Sequence, residues 1–71
     1  MHIILGHHGS RLNEHTIPNV KMVAAQRSAT LVNLDDGETF VIYWETNNHE
    51  EEVLRYDGKT YETLIVEEET T

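Results

Sequence analysis

The chain has 71 residues and a formal charge of −8, which suits one domain, residues 1–71, and leaves little material for an enclosed catalytic cleft. A chain of this length buries only about 60% of its unfolded surface, so the core is thin and a homodimer would help it. It has no cysteine, which excludes a disulfide scaffold and thiolate metal sites and fits a reducing cytoplasm.

In chain order, HIIL (2–5) is a short apolar run expected to form a strand. No apolar run reaches the roughly 18 residues of a membrane span. The opening MHIIL is too short for a signal peptide and lacks a basic flank. Residues 6–19, GHHGSRLNEHTIPN, are mostly polar, with two glycines and a proline, and read as a long loop. Residues 20–29, VKMVAAQRSA, fit two patterns. As a strand, Val20, Met22 and Ala24 share a face. As a helix, Ile17, Val20, Val23, Ala24 and Arg27 form a stripe, with Thr16 as N-cap and Pro18 in the first turn. The alanines tilt part of this segment toward helix.

The remaining segments read as strands: ATLVNL (29–34), ETFVIYWE (38–45), EVLRY (52–56) and TYETLIVE (60–67). They are rich in β-branched and aromatic residues. Asp36-Gly37 and Asp57-Gly58 are hairpin signals, since glycine accepts positive φ and aspartate tolerates it. A two-residue loop at Asp57-Gly58 sets Arg55 opposite Thr60 and Val53 opposite Glu62. The first hairpin has an alternative, a bulged Asp35-Asp36-Gly37 loop. Phe40, Ile42 and Trp44 share one strand face, and Thr39, Val41, Tyr43 and Glu45 the other. The expected class is α+β and β-rich: a small antiparallel sheet or barrel of two hairpins with one short helix. An all-β, SH3-like barrel is the alternative.

Chemical motifs are sparse. His2, His7, His8, His15 and His49 with Glu14 could supply a metal site, but no ligand spacing matches a known one. GHHGSR lacks the lysine of a phosphate loop. Ser10 and Ser28 sit in no G-x-S-x-G pattern. LDDGE and YDGK lack the calcium-loop spacing. The chain therefore reads as non-enzymatic and without a cofactor.

Charge is the informative feature. Residues 1–34 hold Arg11, Lys21 and Arg27 against Glu14, a net +2. Residues 35–71 hold twelve acids against Arg55 and Lys59, a net −10. Direct nucleic-acid binding and an anionic membrane surface are disfavoured, and a basic protein is the natural complement. The candidate contact residues are Glu50, Glu51, Glu52, Glu62, Glu67, Glu68 and Glu69, with Asp35, Asp36 and Glu38 as a second patch. Alternate residues of a strand lie about 6.7 Å apart, a scale close to DNA phosphate spacing. Glu62 with Glu68, and Glu67 with Glu69, could line such a row.

In size, acidity and the acidic runs NNHEEE and IVEEETT, the chain resembles the small acidic DNA-mimic proteins, many of them phage-encoded. That resemblance implies a host bacterial cytoplasm and a basic DNA-binding partner, such as the nucleoid-associated protein HU. It also implies inhibition by occupation of the partner's DNA site. The other classes kept open are a small β assembly module whose acids serve only solubility, and a histidine-rich metal-binding protein.

Overall fold

Turns set the architecture. Asp57 and Gly58 take φ of 52° and 76°, the two-residue hairpin geometry that matches strand twist. Arg55 faces Thr60 and Tyr56 faces Lys59, as a two-residue loop requires. The loop from Asp35 to Gly37 is the bulged alternative. The Gly37 amide donates to the Leu34 carbonyl at 3.0 Å, and the Leu34 amide to the Glu38 carbonyl at 2.8 Å. Gly37 has φ 93°, open to glycine without strain, and Asn33 faces Thr39.

The computed structural model describes residues 1–68. Eight strands follow one another: β1 His2–His7, β2 Ser10–Ile17, β3 Val20–Ala25, β4 Ala29–Leu34, β5 Thr39–Thr46, β6 Glu52–Tyr56, β7 Lys59–Tyr61 and β8 Thr63–Glu67. They form two antiparallel sheets, ordered β2-β1-β8 and β3-β4-β5-β6-β7. The fold is all-β, which corrects the expected α+β class, and among the described residues no helix is long and apolar enough to cross a membrane.

Two segments depart from expectation. The stretch expected as a long loop closes a hairpin, with Ile17 opposite Ile3 and Ser10 opposite His7. All of β2 except Ile17 is exposed, so an edge strand carries no apolar alternation. Val20–Ala25, tilted toward helix by its alanines, is a strand paired with β4. Its pairing slips between Val20 and Met22, and a bulge of this kind reverses the side-chain parity. Val20 and Val23 therefore both pack on the core, three residues apart. That spacing imitates a helical face.

The core comprises Ile3, Leu5, Ile17, Val20, Val32, Ile42, Leu54 and Tyr61. Phe40, Ile42 and Trp44, which alternation puts on one face of β5, all point into it. The two sheets cross. At one end of the larger sheet, Ile17 shares a cleft with Leu34, Phe40 and Tyr56. At the opposite end, Leu64 and Val66 share a cleft with Ala25, Thr30 and Trp44. β2 thus spans one end and β8 the other, with β1 between them.

Two corners join the sheets. At one, the Val20 amide donates to the Met1 carbonyl at 2.9 Å. At the other, the Glu62 amide donates to Gly6. The second bond replaces the expected Val53–Glu62 pairing: the chain leaves the larger sheet after Tyr61 and enters the smaller one as β8.

Candidate functional site

The loop between β5 and β6 carries Glu50 and Glu51, Glu52 opens β6, and Asn47 organises the loop. Asn47 Oδ1 accepts from the His49 amide at 2.8 Å and the Glu51 amide at 3.0 Å. The Asn47 amide donates to the Glu51 carbonyl at 2.9 Å, and the Glu50 amide to the Asn47 carbonyl at 3.2 Å. Asn47 Nδ2 also donates to Glu51 Oε1 at 3.3 Å. Glu50 adopts φ 60°, the left-handed region that costs a side-chain-bearing residue about 1–2 kcal/mol. These bonds hold Glu50 and Glu51 in one loop conformation, strand pairing with Thr46 holds Glu52, and all three glutamates are exposed.

Beside this loop lies a cleft of about 330 Å³ where β8 crosses the larger sheet. Trp44, Leu64, Val66 and Val23 supply apolar walls, and Glu52 and Arg27 lie at its rim. Val66 leads directly into Glu67 and Glu68, both exposed. His2 Nε2 lies 3.0 Å from Glu67 Oε1. This end of the molecule therefore combines Glu50–Glu52, the close of β8 and an apolar slot.

The other candidate acids lie elsewhere. Asp35, Asp36 and Glu38 occupy the β4–β5 turn, at the opposite end of the larger sheet. Asp36 Oδ1 accepts from the Glu38 amide at 2.9 Å. Asp35 and Asp36 rim a second cleft, of about 480 Å³, with Pro18, Phe40 and Tyr56. Glu62 sits in the bend between β7 and β8, half-buried, with Oε1 3.2 Å from His7 Nδ1. Glu62 and Glu68 flank β8 rather than lying within it. Glu69 lies outside the described residues.

Histidines and aromatics fall into separate settings. A polar cleft of about 450 Å³ is lined by His7, Glu14, His15, Lys59 and Tyr61. The His7 ring lies 5.7 Å from that of buried Tyr61, and the His15 ring 5.2 Å from that of Tyr56. Among the described residues no three His, Cys, Asp or Glu side chains are grouped to hold a metal ion. Ser10 Oγ accepts from the Leu12 amide at 3.2 Å. Tyr43 points outward from β5 and is 64% exposed, while Trp44 faces the β8 cleft. Alternation groups Trp44 with Phe40 and Ile42, but apolar Val41 and Tyr43 on the other face of β5 keep it from naming the buried side. The partners of Trp44, Leu64 and Val66, could not be placed from alternation at all, because the β8 crossing depends on the bend at Glu62.

No protein-family model matches the chain, and no curated protein or solved structure is significantly similar to it.

Proposed function

We propose that the protein is a non-enzymatic DNA mimic. In this reading it inhibits a basic, HU-like nucleoid protein by occupying its cationic DNA-binding surface, in the cytoplasm of a bacterial host. The two crossed sheets are read as an SH3-like barrel, used as a rigid mount for charge.

One observation carries the reading: Glu52 lines the apolar Trp44–Val66 cleft, next to Glu50 and Glu51 in the loop that Asn47 fixes, at the end of the molecule where β8 runs into Glu67 and Glu68. Fixed carboxylates attract lysines and arginines and steer association. The cleft adds a contact that salt does not screen, since an apolar anchor seated among charges is the usual source of binding energy. The partner's groove, once filled, excludes DNA. The acids of the β4–β5 turn form a second patch, facing a separate part of the partner.

The test is displacement of DNA from HU or a similar basic protein, followed by anisotropy of labelled DNA. Wild type is expected to release DNA at low salt and progressively less as salt rises. Replacing Glu50, Glu51 and Glu52 with glutamine should abolish release, and Glu67→Gln with Glu68→Gln should weaken it. Failure of wild type to displace DNA at low salt overturns the reading. Full activity of the triple variant removes this end of the molecule as the site.

A second reading, a β assembly module, is favoured by a different surface.

A further inference from the structure

The outward face of the five-stranded sheet is exposed across β3 and β5, while Val53 on the same side of β6 is buried. Met22, Val41 and Tyr43 are exposed there. Register joins them into one patch: Leu31 lies between Ala24 on β3 and Val41 on β5, and Ala29 pairs with Tyr43. The charged residues of these strands on this side are Glu45 and Arg55, which pair with each other at 2.9 Å, and Lys21 at the β3 bulge, which shares a shallow cleft with Met22 and Thr39. In a chain of formal charge −8, this face is mostly apolar and carries no excess of acid.

We propose that this face is the contact surface between two copies of the chain. Two polyanions repel wherever their acidic ends meet, and a face without excess acid is where that repulsion is least. Apolar burial rewards the same approach. The Glu45–Arg55 pair is self-complementary under a two-fold axis: Arg55 of each copy can meet Glu45 of the other. Tyr43 is the residue type that most often anchors such contacts.

The area sets the strength. Five strands about 4.8 Å apart and about six residues long at about 3.3 Å each give a face of roughly 450 Å². A standard interface buries about 800 Å² per partner, so this dimer is weak and forms at high protein concentration. Salt screens the repulsion between the two acidic bodies and strengthens the dimer. That response is opposite in sign to binding of a basic partner, so the two proposals fail separately.

Sedimentation velocity of the full chain over a wide concentration range, at low and high salt, tests it. The weight-average mass should rise toward twice the monomer, and more steeply at high salt. Tyr43→Ser and Val41→Ser, both at exposed positions, should each lower the association constant on the order of tenfold. Ile65→Ser, on the outer side of the other sheet, should leave it unchanged. Far-ultraviolet circular dichroism confirms that the variants fold. A mass that stays monomeric at every concentration overturns the proposal. So does a dimer indifferent to both Tyr43→Ser and Val41→Ser, or one lost equally with Ile65→Ser.

Discussion

The Glu62 amide donates to the Gly6 carbonyl at 2.7 Å. This bond lies where the chain turns out of the five-stranded sheet and into the three-stranded one. A Cβ on Gly6 would lie 3.4 Å from Glu14 Cγ and from Thr63 Oγ1, at the edge of ordinary van der Waals contact. Gly6→Ala should therefore be tolerated, changing stability by less than about 1 kcal/mol. Gly6→Val crowds Thr63 and should destabilise by about 1–3 kcal/mol. Urea denaturation of the two variants separates a steric corner from a permissive one.

Asn47→Ala keeps every carboxylate and removes the acceptor for two backbone amides of the acidic loop. The loop is exposed, so water replaces part of each bond, and the expected loss is about 0.5–1.5 kcal/mol per bond. For a domain of this size, each kcal/mol lowers Tm by about 4–8 °C. The same variant should weaken displacement of DNA from a basic partner. Unchanged displacement would mean that charge alone acts, without a fixed loop.

Glu50→Gly relieves the strain of φ 60°. Glycine gives back part of that gain through unfolded-chain entropy, so a net increase of about 0.5–1 kcal/mol is expected. The variant also removes one carboxylate, so stability should rise while partner affinity falls. Thermal melts and the displacement assay, measured together, check that opposite movement.

Ile42 is fully buried at the centre of β5. Ile42→Ala should cost about 2–5 kcal/mol, comparable with the whole stability of a small domain, about 5 kcal/mol. Chemical denaturation should show a variant largely unfolded at 37 °C. Val41→Ala, its outward neighbour, should change stability by about 0.5 kcal/mol or less.

What the sequence disclosed depended on local chemistry. Asp57-Gly58 named its own turn and the Arg55–Thr60 register, and alternation put Phe40, Ile42 and Trp44 on one face of β5 without saying which face is the inner one. β2 was hidden because an exposed edge strand has no buried side to reveal it. β3 was disguised by the bulge at Lys21, which puts Val20 and Val23 on one side. The acidic end was legible as composition only. Glu50–Glu52 come close to the end of β8 because the chain bends at Glu62, and no local signal announces where the strand that follows will lie. The separation of Asp35, Asp36 and Glu38 from that end follows from hairpin geometry. Successive turns of a meander fall at alternate ends of the sheet.

β1 lies in the middle of the small sheet, between its immediate successor β2 and the last strand, β8. His2 pairs with Glu67 and Leu5 with Leu64. One flank of β1 therefore stays open until residues 63–67 have been made. During synthesis the five-stranded meander can form step by step, but a nascent chain still tethered near residue 60 holds Ile3 and Leu5 without their final cover. Strand pairing between residues so far apart in sequence forms slowly compared with local hairpins. Folding should thus end with the docking of β8, and the apolar cleft beside Trp44 comes into being in that same step.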